Sequence, residues 1–464
     1  MNPPARPFSA RRGSVYLLAL LVVIVVSGIA MVMARGTAVR LRLHQEAVAQ
    51  AQSRAAALGL VRAITTDLTA SITAGKSPHL TTVTPAGTTI GDCTVLLIGR
   101  DPSGKEARFD LIGLAGRIGV NSLAVTDQSP PNSKLLSSAE STALLDVPGI
   151  TLAMVAAMRD WVDVDDVPDA DGGAERTDGT YLGASVPYAP RNAPMIGLEE
   201  LRLVRDITDD LYFGGDANQN GRLDPGETAS SGGAGVSLGL RDLLSLESRE
   251  PAGGKDTVNI NQGSRMNGEL SGKLTTLFGA ARGAELWREL QTAFPGGPVR
   301  NRLELLSAMA PILSDDEADL LWPDLIGPEG RVGLIDPWSC PDVLLAALVG
   351  SELAEVLIQA RPDTAPTGPG WLIRTLTRSQ AQQFGHLFTC CSYQFQADVL
   401  AVRNDGAGWA RLQVGIDCSS GTALVSSLRE AENLGWPLPW CTPDALRRRG
   451  VDQDPIALLT TAND

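Results

Sequence analysis

Histidine is almost missing from this 464-residue chain. His44, His79 and His386 are the three present, and no two are close in sequence, so a His-based zinc or iron centre is not expected. Positive charge is in deficit too: 39 Lys and Arg stand against 53 Asp and Glu, a formal net charge of −14. A phosphate backbone is met with clustered Lys and Arg, so nucleic acid is disfavoured as a partner, and an acidic chain holds hard cations more readily. The six cysteines (Cys93, Cys340, Cys390, Cys391, Cys418, Cys441) form no C-x-x-C and no zinc spacing. In an exported domain they offer up to three disulfides; otherwise they are small buried apolar residues, and sequence does not decide the pairing. Nucleophile motifs are absent as well: there is no G-x-S-x-G, P-loop, H-E-x-x-H or Cys/His pair. Glycines in "GDANQNG" and "GLAGRIG" lack the strand, helix and distant acid of a dinucleotide site. No catalytic residue and no enzymatic activity are expected.

What is present reads as a folded protein of two or three domains, with 20% charged and 44% hydrophobic residues. The 48 Gly and 29 Pro point to many loops. The most informative stretch is "SARRGSVYLLALLVVIVVSGIAMVMARG", residues 9–36, where two arginines and a glycine precede a long uncharged run. Residues 15–34, at about 1.5 Å of helical rise each, reach roughly the 30 Å of a bilayer core. A secretory signal has a shorter apolar core, although Val32, Met33 and Ala34 supply the small residues of a cleavage site before Arg35. Arg6, Arg11 and Arg12 are balanced by Arg35, Arg40 and Arg42, so charge leaves the orientation open. Residues 37–58 contain no Gly or Pro and continue the helix into solvent, with Val48, Ala51, Ala55, Leu58 and Val61 as the expected docking face.

An arginine pair, a glycine, a twenty-residue apolar helix and an amphipathic extension together resemble the N-terminus of type IV pilin-like proteins. The resemblance implies that a prepilin peptidase cuts after Gly13, and that Ser14 becomes the first mature residue and a site of N-methylation. Most members carry glutamate at the fifth mature position, where this chain has Leu18. The minor pseudopilin of type II secretion called protein K is the member that lacks it. Residues 159–208, "RDWVDVDDVPDADGGAERTDGTYLGASVPYAPRNAPMIGLEELRLVRDIT", closely resemble the hallmark region of that family. The matching positions begin with Asp160, Trp161, Asp163, Asp165, Gly173, Ala174, Glu175 and Tyr181. They continue through Pro187, Tyr188, Pro190, Asn192, Pro194, Glu200, Leu201, Leu203 and Val204. Prolines at 187, 190 and 194 hold the chain extended, "GLEELRLV" restarts a helix, and Asp160 and Glu175 are expected to anchor the extended stretch through backbone hydrogen bonds, with a metal or partner site as the alternative.

Three short strand or turn segments, "RIGVNSLA", "TVNINQGS" and "VGLIDPWS", each lead into helical sequence broken near a glycine. Such helix-hairpin-helix units grip nucleic acid elsewhere, but here basic neighbours are lacking and protein packing is the better reading. Residues 92–120 carry two apolar runs split by Asp-Pro-Ser-Gly-Lys, which predicts one hairpin; residues 392–417 carry two split by Asn-Asp-Gly-Ala-Gly, which predicts a second. The resemblance joins them into one antiparallel sheet across some three hundred residues. The expected fold class is α+β: an N-terminal transmembrane and amphipathic helix, a pseudopilin α/β domain, and a large helical insertion of SAM-like units. The boundaries follow as a leader over 1–13, the long helix over 14–75, and the α/β domain over 76–120 and 385–425. A first helical insertion spans 117–257, further hairpin units span 258–384, and a tail spans 426–464.

Residues 216–227, "DANQNGRLDPGE", carry oxygen ligands at the loop positions of a calcium site: Asp216, Asn218, Asn220, Asp224 and Glu227, with the Arg222 carbonyl and a turn at Gly221. Its flanks do not read as two EF-hand helices, so a structural calcium clip is expected rather than a sensor. Asp163, Asp165, Asp166, Asp169 and Asp171 have the wrong spacing for such a loop and read by default as solvated acids or helix caps. The resemblance implies a minor pseudopilin that assembles with other minor and major pseudopilins and caps the filament tip, anchored once in the inner membrane with its head in the periplasm. The alternative is a membrane-anchored, calcium-stabilised adhesin-like protein.

Overall fold

The structure is a computed structural model. It describes residues 12–100, 108–124, 138–147, 149–216, 219–220, 238–246, 248–252, 257–260, 264–294, 299–448 and 453–460. Helix α1 (Arg12–Thr73) runs unbroken from the apolar segment into the head. It is the one helix among the described residues long and apolar enough to cross a membrane, and its apolar half is fully exposed. The second half docks on the sheet through Ala49, Ser53, Ala56, Ala57, Leu60, Val61, Ile64 and Leu68. This corrects the expected face: Val48, Ala51 and Ala55 point to solvent, Leu58 is half-buried, and Val61 alone of the five is fully covered. The reason is close approach. Gly408 lies against the backbone of Ala49 and Gln50, and the Ser53 hydroxyl donates to the Gly408 carbonyl at 3.0 Å, so small residues rather than large ones choose the contact line.

The sheet contains β1 (Thr88–Ile90), β2 (Cys93–Ile98) and β3 (Ile112–Gly113) from the first part of the chain. Two short parallel pairs lie outside it, β4 (Ile118–Gly119) with β5 (Leu244–Ser245) and β6 (Val258–Asn259) with β7 (Leu325–Ile326). The last strands are β8 (Gln394–Arg403), β9 (Trp409–Asp417) and β10 (Leu424–Glu430), and the order is β1-β2-β8-β9-β10. The second expected hairpin is present as β8 and β9, and the long-range closure is present as Cys93 opposite Arg403 through Ile98 opposite Asp398. The first expected hairpin is not. β2 pairs with β1 and β8, and β3 pairs with β8 at Ile112↔Gln396, so β2 and β3 lie end to end along one strand. A turn signal fixes where the chain reverses, but the long apolar edge of β8 was the better partner for both runs.

Strand β2 is buried on both faces, which explains its unbroken apolar sequence. Val95 and Leu97 face the large core shared with α1 and the helical insertion, whereas Leu96 and Ile98, with Leu400 and Val402, pack under Leu438, Cys441, Leu446 and Leu459. The segment after 425 is therefore no appended tail: residues 424–430 form a sheet edge, and among the described residues beyond them Leu438, Cys441, Leu446 and Leu459 cover the outer face. All three expected helical repeats appear, as α2 (Ser138–Leu145) with α3 (Leu152–Val162), Ser264–Phe278 with Ala280–Ala293, and Asp342–Val349 with Ser351–Gln359. Gly149, Gly279 and Gly350 take positive φ at the three turns. "VGLIDPWS" forms isolated bridges instead of a strand, and "GLEELRLV" forms a 3₁₀ turn, Leu198–Leu203, in place of an α-helix. The six cysteines are all buried and unpaired, the second of the two readings open from sequence.

Candidate functional site

The hallmark residues converge into one packed knot at the end of α3. Trp161, Tyr181 and Tyr188 form a ring cluster with centroids 5.3–6.4 Å apart, worth about 0.5–1.5 kcal/mol per pair beyond burial. Their polar ends are satisfied: Trp161 Nε1 donates to Glu200 at 3.1 Å, and the Tyr188 hydroxyl donates to the Leu203 carbonyl at 3.0 Å. Glu200 also accepts from the Ile196 amide at 2.9 Å, while Leu201 and Val204 are buried beneath. Asn192 sits at φ 50° and donates to the Asp165 carbonyl, closing the extended stretch that holds Pro187, Pro190 and Pro194. The helix-free path through those prolines agrees with the expectation of an extended stretch.

Within the knot, Asp160, Asp163 and Glu175 bring carboxylate oxygens within 4.8 Å of one another. Asp160 accepts from the Asp169 amide at 3.2 Å, in the acidic loop and not in the extended stretch it was expected to anchor, and Glu175, 1% exposed, has no hydrogen-bond partner on either oxygen among the described residues. One oxygen of Asp163 is likewise unpartnered. Burial, followed by the charges of Asp160 and Asp163, pushes Glu175 up to about 7. Asp163 is pushed up to about 6 by burial and then by Asp165 and Asp160. A side chain at Gly173 would overlap the Asp160 carboxylate and the Asp169 amide, and Ala174 beside it is buried, so the small pair ahead of Glu175 is what admits the acid to the cluster. Three converging carboxylates with orphaned oxygens are hard ligands of the kind a divalent cation takes. Sequence spacing hid this set, because Glu175 arrives from a loop and not from the run of aspartates. Asp165, Asp166 and Asp171 of that run are exposed, as solvated acids are.

The expected calcium loop is described in part. Asp216 is buried and accepts from the Asn220 amide at 3.0 Å, as a first loop position does across a tight turn; Asn220 donates to the Pro437 carbonyl at 2.9 Å. Arg411, fully buried and paired with Asp398 at 2.7 Å, donates to the Gln219 carbonyl at 2.8 Å and ties this turn to the sheet. Asn218, Arg222, Asp224 and Glu227 lie outside the described residues, as does Gly221. Of the processing pair, Gly13 and Ser14 fall in the first turn of α1. Leu18, four residues on, is exposed on the apolar half.

The chain thus joins a long N-terminal helix, apolar and exposed in its first half and docked on an antiparallel sheet in its second, to a helical insertion held by an aromatic and acidic knot. Residues 116–213 match the model of the family described as "Type II secretion system (T2SS), protein K", and the chain carries that domain there. A protein of Pectobacterium carotovorum subsp. carotovorum with the name "Type II secretion system protein K" is 46% identical over 59 residues, 13% of this chain; the chain spans 17% of that relative's length. A chain in the crystal structure of the GspK-GspI-GspJ complex from the enterotoxigenic Escherichia coli type 2 secretion system aligns over 84% of this chain and 99% of its own. The two share 13% sequence identity, with a TM-score of 0.39.

Proposed function

We propose that this chain is a minor pseudopilin that assembles with other pseudopilins at the tip of a type II secretion filament and closes it there. The observation that carries the reading is the protein K domain at 116–213, with its Asp160/Trp161/Glu175 knot, on a chain led by one exposed apolar helix. Leu18 supports the tip position, since a subunit without an acid there cannot neutralise a neighbour's amino terminus inside lipid, where an unpaired charge is expensive. The helical insertion supports it as well, because its bulk beside the sheet leaves little room for a subunit stacked above. On this reading α1 crosses the inner membrane once, the head stands in the periplasm, a prepilin peptidase exposes Ser14, and the role is structural rather than enzymatic. Calcium is a structural ligand of this head, held by Asp160, Asp163 and Glu175 and by the 216–227 loop.

The test is to purify the mature chain with the pseudopilins encoded beside it. Mass spectrometry should find Ser14 as the first residue, and cross-linking should place one copy at a filament end. A first residue at Arg35, or copies spaced along the fibre, overturns the reading.

A further inference from the structure

A groove of about 730 Å³ opens between the sheet and the helical insertion. One wall is β9 and β10, with Gln413 and Arg429 prominent; the other is Glu199, Tyr212 and the segment from Arg241 to Leu246. Its floor carries Arg117. Four arginines line it (Arg117, Arg241, Arg249, Arg429) against two carboxylates, Glu199 and Asp417. The carboxylates are taken: Asp417 pairs with Arg249 at 3.0 Å and Glu199 with Arg429 at 3.0 Å.

Arg117 and Arg241 are left over. They are 6% and 9% exposed, and among the described residues neither forms an ion pair. Arg117 donates to a neutral acceptor, the Arg241 carbonyl, at 2.9 Å, and the Nε of Arg241 has no hydrogen-bond partner. Phe213 lies 5.9 Å from the Arg241 guanidinium, at the outer limit of a useful cation–π contact. The nearby acids Asp216 and Asp242 are engaged by Arg100. Burial, then the charges of neighbouring arginines, pushes both guanidinium groups down to about 9. A buried charge is ordinarily paired, because desolvation costs several kcal/mol and only a close counter-ion offsets it. Two unpaired cations in one cleft of a protein with net charge −14 are therefore an oddity that a ligand would resolve.

We propose that this groove binds the carboxylates of an acidic peptide segment from a partner protein, with Arg117 and Arg241 as the charge-pairing residues. Guanidinium groups suit carboxylates because their N–H forks match the two oxygens. A peptide fits better than a free anion on two grounds. The volume is far larger than one phosphate needs, and Leu114, Leu244, Phe395 and Ile416 offer apolar wall that a bare anion would leave uncovered. The inference does not depend on the family reading.

The experiment uses the full chain in detergent micelles with fluorescein-labelled hexaglutamate as probe and unlabelled hexaglutamine and inorganic phosphate as competitors. Hexaglutamate should bind with a Kd below about 1 mM. The double variant Arg117→Met/Arg241→Met should weaken it about thirtyfold or more, the loss expected when buried charge pairs are broken. Hexaglutamine should not compete, and phosphate should compete only at large excess. A second readout separates ligand binding from architecture: with no peptide present, the double variant should melt at the same or a higher temperature than the parent. Absence of binding, unchanged binding by the variant, competition by phosphate at equal concentration, or a lowered melting temperature of the variant would each overturn the proposal.

Discussion

Glu175→Gln tests the acidic knot most directly. Three carboxylates share a space of 4.8 Å, and Glu175 is displaced from 4.5 to about 7. At 1.36 kcal/mol per pH unit this corresponds to about 3 kcal/mol, an upper figure because Asp163 titrates in the same cluster and the two are coupled. The folded state holds the proton more tightly than the unfolded one, so between the two pKa values the folded state binds more protons. Metal-free stability should therefore fall as pH rises from about 4.5 to 7 and level off above, and calcium added at neutral pH should restore it. The glutamine variant carries one charge fewer. In EGTA at pH 7.5 it should be more stable than the parent by roughly 1–3 kcal/mol, or about 1–3 °C in melting temperature for a chain of this length. At pH 4.5 the gain should vanish, because Glu175 is then already protonated. With calcium added at a hundredfold excess over its Kd the parent should gain about 2.7 kcal/mol, and the variant much less. Differential scanning calorimetry across pH 4.5–8 with and without calcium makes the comparison. A parent whose metal-free melting temperature is flat from pH 5 to 7.5, or a variant that is less stable at pH 7.5, refutes the reasoning.

Other consequences follow from single contacts. Arg302, fully buried, pairs with Glu250 at 2.7 Å and Glu329 at 2.9 Å and stacks on Trp322 at 4.0 Å. Arg302→Met should cost about 3–5 kcal/mol by urea unfolding followed through Trp fluorescence, while adding Glu250→Gln and Glu329→Gln should recover most of it; no recovery would mean that packing dominates. Gly408→Val should force the β8–β9 turn away from Ala49 and Gln50, seen as faster amide exchange in residues 49–60, and unaltered exchange counts against the close contact. The six cysteines are buried, and burial raises the thiols of Cys340 and Cys418. Ellman's reagent should therefore find almost none in the native chain and six in urea without reductant; fewer than six would reveal disulfides.

How much could be read from sequence depended on whether a feature was local. The apolar helix and its continuation follow from a twenty-residue uncharged run and from the stretch 37–58, which lacks Gly and Pro, and α1 spans both without a break. The three glycine turns between helices were visible for the same reason. The docking face was misplaced by one residue because hydrophobicity was counted and closeness was not: Ala49 and Ser53 are chosen by Gly408, some 350 residues away. β3 was assigned to β2 because a loop between two apolar runs reads as a hairpin, whereas β8 supplies ten residues of pairing edge, enough for both. The acid triad was half legible. Asp160 and Asp163 stand three residues apart on the last turn of α3 and just past it, but Glu175 joins them only because Gly173 and Ala174 let the loop come close. Nothing in sequence could have united Arg117 with Arg241, which meet through the parallel pairing of β4 with β5.

The placement of the helical insertion explains how so large an addition coexists with a small sheet. It leaves the sheet after Gly113 in β3 and returns at Gln394 in β8, and those two strands are hydrogen-bonded neighbours, with Gly113 opposite Phe395. Closing a flexible loop of roughly 280 residues instead of a ten-residue turn costs only about 3 kcal/mol more, since each doubling adds about 0.6 kcal/mol. A folded insertion with adjacent ends avoids even that, provided the neck is held. The neck is held by Ala115, whose amide donates to the Ser392 hydroxyl at 3.2 Å and whose carbonyl accepts from the Asp336 amide at 2.9 Å. Gly116 lies directly against the Ser339 carbonyl and the Cys340 amide, where a side chain has no room. Gly116→Val should thus open the neck at a cost of a few kcal/mol, the usual scale for overpacking a tight site. Hydrogen exchange should speed up in residues 112–116, 336–340 and 390–394, while the β8–β9 hairpin and its α1 contact keep their protection. Equal loss of protection throughout the sheet would mean that insertion and sheet unfold as one body and that the neck is no separate joint.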